Sequence, residues 1–279
     1  MDSPRDQGLH GHLSWVFDRR DDFVRAAVEF LDDGATLGQR LLYIGDRPVN
    51  DLLGELGALP ARDLLLQSGG LAAMSLGDPT APGTSMTPEE RGRAYDAVVD
   101  AALAGGYAGL RVAIDTTAMA VDPVSRDEQA RWERLGDRYI TERPLAVLCG
   151  IDSSVLGGKA ASHLACLHPT VHAPITLAPF CAYVEGDGIA LAGEADGMSA
   201  ELLGLALAAT PPSGSTFTVD FSRLEFIDGR AFASLQRYAG ALSARGGQLV
   251  ITGARPVVRR LAALLGCRGV AFSSLDGGD

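Results

Sequence analysis

Long apolar runs, paired cysteines and an excess of basic residues are all missing from this chain of 279 residues. No apolar stretch approaches the roughly 20 residues of a membrane-spanning helix. Residues 1–12 lack the apolar core of a secretory signal. The four cysteines, Cys149, Cys166, Cys181 and Cys267, are scattered, which predicts neither a disulfide framework nor a zinc ribbon. We therefore expect a soluble, reduced, cytoplasmic protein.

Basic charge is also scarce, because 24 Lys and Arg residues face 35 Asp and Glu residues. A formal net charge of −11 argues against non-specific nucleic-acid binding, since phosphates require a basic surface. The apolar fraction of 47% is ordinary for a globular protein. The length predicts one large or two ordinary domains, and either can bury a full core.

Two catalytic motifs are absent. A phosphate-binding loop needs Gly-x4-Gly-Lys-Ser/Thr, but the first predicted strand is followed by Asp18–Asp21. Gly157–Lys159 lies in a predicted helix and lacks the first glycine and the Ser/Thr. No Gly-x-Ser-x-Gly nucleophile elbow occurs. We expect no enzymatic activity, and a degenerate nucleotide-binding enzyme stays an open alternative.

Strand-like and helix-like segments alternate over residues 11–170, which predicts a mostly parallel sheet covered on both faces. Residues 68–86 are rich in Gly, Ser, Thr and Pro and predict an irregular loop. Three prolines in His168–Pro179 predict a linker. The predicted strands are His12–Phe17, Arg40–Gly45, Leu64–Leu66, Leu110–Asp115 and Leu145–Ile151, and the predicted helices are Arg20–Asp33, Val49–Gly57, Thr87–Ala104, Ser125–Glu142 and Ser153–Leu167.

The most informative stretch of the chain is Thr216–Gly229. It predicts a buried strand, a short turn, a second apolar run and an Asp-Gly pair before a helix over Arg230–Arg245. Asp228 can cap that helix, because its carboxylate accepts an N–H group of the first turn. A loop that ends at a helix N-terminus suits a phosphoryl group or an acidic partner.

This stretch resembles the STAS domain of sulphate transporters and anti-sigma-factor antagonists, over roughly residues 176–275. Gly188–Asp196, Ser199–Thr210, Gln248–Gly253 and Pro256–Gly266 match the family's strands and helices in order. The resemblance implies binding of an anti-sigma factor or a related kinase-like partner. The partner-binding residues that we expect are those of the matching loop, Asp228, Gly229, Arg230 and Ala231, together with Arg237 on the helix that follows.

One departure from the STAS pattern changes how partner binding is expected to be regulated. Antagonist members carry Asp-Ser-Ser/Thr-Gly, and a kinase phosphorylates the serine after the aspartate. Glycine stands at that position here, Gly229, so we expect no phosphorylation there. Ser234, about one helical turn later, is a weak substitute for the missing phosphorylation site. Arg230, Arg237 and Arg245 recur along one side of the helix, either as a docking face or as a solvated polar stripe.

The N-terminal half resembles the MEDS family, a sensory domain of methanogens, methylotrophs and a dichloromethane-responsive regulator. The matching segments are His12–Asp18, Gly38–Ile44, Leu110–Asp115, Leu145–Cys149 and Leu167–Pro169, within residues 8–170. The resemblance implies a RecA-like fold that senses a small molecule. The family often has cysteine where this chain has Ser14.

Polar residues near the predicted strand ends could line a ligand pocket, because ligands of parallel sheets bind beyond the carboxyl ends of strands. His12 begins its strand, so a hydrogen-bonded core histidine is the alternative. Asp115 could hold magnesium in such a fold or simply cap the following loop. The candidate ligand-binding residues are His12, Asp18, Tyr43, Asp46, Asp115 and Asp152.

Histidine and cysteine also cluster in one segment, His163, Cys166, His168 and His172. Imidazole and thiolate are zinc ligands, but this spacing matches no standard zinc site. We interpret the grouping as chance and expect neither a metal nor a cofactor.

The sequence therefore predicts an α/β protein of two domains. A RecA-like, mostly parallel α/β/α sandwich occupies residues 1–170, and a STAS-type α/β domain occupies residues 171–279. We expect an anti-sigma factor antagonist-like regulator that is controlled by its N-terminal domain and can form a homodimer. The alternative is a small-molecule-binding sensory protein whose STAS domain is structural.

Overall fold

The computed structural model describes residues 3–78, 86–210, 215–266 and 269–273. The chain divides into two compact units. The first comprises Met1–Ala165 with Thr170–Ala173, and the second comprises Cys166–Pro169 with Pro174–Asp279. Within the described ranges, no helix combines the length and apolar character that crossing a membrane requires.

The first unit is built on a sheet of six parallel strands in the order β3-β2-β4-β5-β1-β6. The strands are β1 (Gly11–Phe17), β2 (Arg40–Gly45), β3 (Leu71–Ser75), β4 (Leu110–Asp115), β5 (Leu145–Asp152) and β6 (Thr170–His172). The helices are α1 (Arg20–Thr36), α2 (Val49–Glu55), α3 (Arg62–Ser68), α4 (Pro88–Ala104), α5 (Pro123–Glu142), α6 (Ser153–Leu156) and α7 (Gly158–Ala165). Short 3₁₀ turns cover Leu56–Ala58 and Thr117–Ala120.

Both faces of this sheet are buried, because side chains alternate along each strand. On one face, Leu13 and Leu148 pack with Phe23 of α1. On the other face, Val147 and Cys149 belong to the core that includes α4 and α5. The predicted α/β sandwich is therefore confirmed.

Two local predictions in the first unit are wrong. Leu64–Leu66 belongs to α3, not to a strand, and α3 ends at Gly69 with a positive φ of 75°. The strand is instead Leu71–Ser75, inside the segment predicted as an irregular loop. Residues 79–85 of that predicted loop lie outside the described residues.

Two further boundaries differ from the prediction. The helix predicted over Ser153–Leu167 is divided into α6 and α7 by Gly157, whose φ is 77°. A residue with this φ leaves the right-handed helical region, so one continuous helix cannot form. The predicted linker His168–Pro179 contains β6, which pairs with β1 at the sheet edge.

The second unit contains a five-stranded sheet in the order β11-β10-β9-β8-β7, and only the β7–β8 pair is antiparallel. Its strands are β7 (Phe180–Glu185), β8 (Gly188–Ala195), β9 (Thr216–Ile227), β10 (Gln248–Thr252) and β11 (Val270–Phe272). Its helices are α8 (Ala200–Ala208), α9 (Gly229–Ser243) and α10 (Pro256–Leu264).

The predicted short turn within Thr216–Gly229 is wrong, because β9 continues without a break to Ile227. The irregularity lies in the pairing with β8, whose register shifts between Ala190 and Ala192 and again between Gly193 and Glu194. Such bulges let a long strand stay paired while the sheet bends. The continuous strand leads directly into Asp228 and α9.

Candidate functional site

The first unit contains a buried polar cluster, which we call the His12 centre: His12, Glu133, Asp137 and Cys149. His12 Nδ1 lies 3.1 Å from Asp137 Oδ1, and His12 Nε2 lies 3.2 Å from Glu133 Oε2. The Sγ atom of Cys149 lies 3.9 Å from His12 Nε2. All four residues are at most 4% exposed. An imidazole, a thiol and two carboxylates thus meet in the interior.

Simple geometry brings these residues together. Strands β1 and β5 are neighbours, with His12 opposite Val147 and Ser14 opposite Cys149, so their side chains share a face of the sheet. Glu133 and Asp137 are four residues apart on α5, which places them one above the other on the side facing that sheet. The prediction of a hydrogen-bonded core histidine at position 12 is confirmed.

The electrostatics of the His12 centre favour a charged imidazole. Burial lowers the pKa of His12, but its hydrogen bonds to Asp137, Cys149 and Glu133 outweigh that cost and raise the pKa well above the ordinary value. Burial raises the pKa of the Cys149 thiol to about 11. In this arrangement the thiol is protonated at neutral pH.

A small chamber of about 20 Å³ adjoins the His12 centre. Arg91 Nη1 donates to Gln129 Oε1 at 2.7 Å, and Gln129 Nε2 donates to Glu133 Oε1 at 2.5 Å. The Arg91 guanidinium lies over the Trp132 ring at 5.0 Å, and this ring stacks on Tyr95. A polar chain therefore leads from Arg91 to the carboxylate that faces His12. The chamber has room for about one water-sized molecule.

A second polar network, at the carboxyl ends of the strands, contains Tyr43 and Asp115. Arg20 joins them, since it forms an ion pair with Asp115 and its Nη2 lies 3.1 Å from Tyr43 Oη. Arg20 also binds Glu55 at 2.8 Å, and Tyr43 donates to the same carboxylate at 2.7 Å. Asp115 accepts the Thr117 N–H at 3.0 Å, so the capping interpretation of this strand-end aspartate is confirmed.

Burial and charge act in opposite directions in this network. Burial disfavours the ionised form of Glu55, but the hydrogen bonds from Arg20 and Tyr43 lower its pKa overall. Burial raises the pKa of Tyr43, which stays a hydrogen-bond donor. The Arg20 guanidinium therefore already has two carboxylate partners within the protein, Glu55 and Asp115.

The remaining predicted ligand residues lie elsewhere. Asp18 and Asp46 are exposed. Asp152 caps α6 by accepting N–H groups from Ser154 and Val155 at 2.9 and 3.3 Å. In the part of the chain that the structure describes, His12 is the one predicted ligand residue that lines the chamber.

In the second unit, Asp228–Ala231 forms the N-terminus of α9, which we call the helix entrance. Asp228 Oδ1 accepts the N–H groups of Arg230 and Ala231, both at 2.9 Å. The predicted cap is confirmed. Gly229 is the first residue of the helix, and the Arg230 side chain is exposed.

Apolar side chains flank the helix entrance. Met198, which precedes α8, is 93% exposed, and Leu265, which follows α10, is 42% exposed. The backbone at Gly197 lies so close that a Cβ there would be 3.0 Å from Arg230 Cδ. A Cβ added at Gly229 would make ordinary contact with Leu265 at 3.8 Å. Arg230 and these two apolar side chains therefore offer exposed surface of mixed apolar and basic character, whereas Ala231, also predicted to bind the partner, is buried.

The remaining predicted residues of α9 differ in exposure. Ser234 is 2% exposed and donates to the Ala200 carbonyl at 2.7 Å. Arg237 is exposed and its Nη2 donates to Ser234 Oγ at 2.8 Å. A buried hydroxyl that already holds two elements together is a poor phosphoacceptor. Arg245 is exposed as well, so the arginine stripe faces solvent.

Sequence reasoning missed Glu133, Asp137, Gln129 and Arg91, which hold or extend the His12 centre. The signal for three of them is their four-residue spacing on α5, Gln129, Glu133 and Asp137, whereas Arg91 lies on α4. All three are buried although their residue types are usually exposed.

Comparison with known families agrees with this division of the chain. The model of the MEDS domain, the methanogen/methylotroph DcmR sensory domain, matches residues 11–169, more than half of the chain. A model described as the Mlab STAS domain matches residues 183–272. Among curated proteins, none matches this chain. The chain therefore belongs to the MEDS family, and its MEDS domain is followed by a STAS domain.

Proposed function

We propose that this protein is a non-enzymatic signalling regulator of the anti-sigma-factor-antagonist type. Its STAS domain binds an anti-sigma factor or a related kinase-like protein, and its MEDS domain controls that binding. The pairing of a sensory domain with a STAS domain supports a regulatory role. The observation that carries the proposal is the helix entrance, where Arg230 is exposed and Asp228 and Gly229 are half-buried, whereas Ala231 is buried.

The helix entrance has the chemistry of a docking surface for an acidic protein. The Asp228 carboxylate offsets the partial positive charge of the α9 N-terminus, and the exposed Arg230 adds a full positive charge beside it. Met198 and Leu265 supply exposed apolar surface beside these charges. A partner with carboxylates beside apolar side chains complements this surface.

Control by phosphorylation of the entrance requires a hydroxyl that is missing. Gly229 stands at the position of the family's phosphorylated serine, and Ser234 is buried with its hydroxyl engaged. These two facts favour input through the MEDS domain over input through a kinase.

The test is binding of the full chain to the host's anti-sigma factors, measured by pull-down and then by calorimetry. We expect Arg230→Glu to weaken binding at least tenfold, because it places a negative charge at the entrance. Arg245→Glu is the matched control, since that exposed arginine follows the other end of α9. The proposal fails if no anti-sigma factor binds, or if both variants bind as the wild type does.

A second experiment tests the missing phosphoacceptor. Gly229→Ser fits the structure, because a Cβ there meets only ordinary contacts. With a kinase-like partner that binds, we expect phosphate on the introduced hydroxyl of the variant and none on the wild-type entrance. Phosphate on the wild-type second unit at another site would contradict control through the MEDS domain alone.

A further inference from the structure

The His12 centre has the composition and geometry of a metal site, although the spacing of the chain indicated none. We infer that His12, Glu133 and Cys149 bind a divalent transition ion of the zinc class. The three residues offer an imidazole nitrogen, a carboxylate oxygen and a sulfur, the donor types that zinc takes in proteins. This inference does not depend on the partner proposed for the STAS domain.

The distances between the donor atoms fit one ion. Tetrahedral zinc, with bonds of about 2.0–2.3 Å, separates its ligand atoms by about 3.3–3.8 Å. His12 Nε2 lies 3.2 Å from Glu133 Oε2 and 3.9 Å from Cys149 Sγ. The ligand atoms of the three residues all lie within 4.8 Å of one another. Side-chain shifts of about 1 Å or less therefore bring them onto a common ion.

Outer hydrogen bonds already orient two of the ligands. Asp137 holds His12 through Nδ1, which aims Nε2 at the other two donors. Gln129 binds Glu133 through Oε1, which leaves Oε2 on the side of His12. A carboxylate behind a ligating histidine is a common outer partner in zinc sites. Packing of a core does not by itself require Asp137 behind His12 or Gln129 behind Glu133.

The burial of the three ligands also distinguishes them from surface clusters. His12, Glu133 and Cys149 are all at most 4% exposed and come from three separate elements, β1, α5 and β5. A buried carboxylate costs stability unless its charge is compensated. A divalent ion bound by the carboxylate, the neutral imidazole and the thiolate provides this compensation in place of the ligand protons that it displaces.

The test uses the full chain, stripped with a chelator and kept reduced, and titrated with Co²⁺. We expect one equivalent to bind with a thiolate-to-cobalt charge-transfer band, and Zn²⁺ to displace it and raise the melting temperature. Cys149→Ser should lose the band. Cys181→Ser is the matched control and should keep it, because Cys181 lies on β7 of the second unit.

A second variant keeps the test decisive if Cys149→Ser does not fold, as judged by circular dichroism. Asp137→Asn leaves all three ligands in place, so we expect the band to persist while affinity falls about 10- to 100-fold. The inference is overturned if the wild type binds no stoichiometric Co²⁺ or Zn²⁺. It is also overturned if the band survives in a folded Cys149→Ser variant.

Discussion

Asp228 offers a quantitative test of the helix entrance. Asp228→Ala removes the acceptor of two N–H groups, those of Arg230 and Ala231. Losing such a cap costs about 1 kcal/mol. Losing the negative charge at the helix N-terminus adds about 0.3–1 kcal/mol. We therefore expect the free energy of unfolding of the second unit to fall by about 1–2 kcal/mol.

The two tryptophans make the assay specific. Trp15 lies on β1 and Trp132 on α5, so intrinsic tryptophan fluorescence reports the first unit, whereas circular dichroism reports both units. In urea titrations, Asp228→Ala should shift a transition seen by circular dichroism and leave the fluorescence transition in place. Asp122→Ala, which removes the matching cap of α5, should shift the fluorescence transition together with the corresponding transition in circular dichroism.

Replacement by serine separates the cap from the charge. Asp228→Ser keeps a hydroxyl acceptor for the first turn, so we expect it to recover about 1 kcal/mol of the loss. If the proposed partner binds the alanine and serine variants equally weakly, then the carboxylate itself takes part in recognition. A loss below about 0.3 kcal/mol in Asp228→Ala would refute the reasoning about the entrance, because a cap with two bonds should be worth more.

Three further predictions concern the first unit. Gly34→Ala on α1 should lower the free energy of unfolding of the first unit by about 1–3 kcal/mol, because the new Cβ would lie 2.7–2.9 Å from the fully buried Arg111 side chain. Gly92→Ala on α4, which meets nothing within 4 Å, should instead stabilise by about 0.5–1 kcal/mol in the same urea titrations. Burial lowers the pKa of His163 to about 4. As the pH falls below about 6.5, this histidine is therefore protonated in the unfolded chain but stays neutral in the folded chain. Between pH 7 and pH 5, the free energy of unfolding of the wild type should therefore fall by about 2 kcal/mol more than that of His163→Gln. Identical pH profiles of this free energy in the two proteins would contradict the prediction.

Much of the fold could be predicted because the strands are apolar runs and the helices are amphipathic. Arg40–Gly45 and Leu110–Asp115 were predicted with their observed bounds. The failures have local causes. Leu71–Ser75 contains two alanines and a serine, so it lacks the large β-branched side chains that indicate a strand. Leu64–Leu66 is an apolar triplet that fits a helix as well as a strand, and only its neighbours decide.

The helix entrance was predictable for a different reason. Capping depends on two or three consecutive residues, and an aspartate directly before a helical pattern specifies its own hydrogen bonds. The His12 centre depends on residues more than a hundred positions apart, such as His12 and Glu133, and no local rule connects them. The sequence therefore indicated His12 as a buried polar residue without indicating its partners.

One signal for those partners was nevertheless present in α5. This helix buries Gln129, Glu133 and Asp137 beside Ala130 and Ile140, whereas Val124 and Leu135 are 69% and 41% exposed, which departs from the usual amphipathic pattern. A polar stripe that faces a sheet costs desolvation free energy unless the sheet supplies polar partners. The buried polar stripe therefore predicts a polar residue on the strands opposite, and His12 fits. Apolar residues would pack there at lower cost, so retaining the stripe favours a binding role for the centre over a purely structural one.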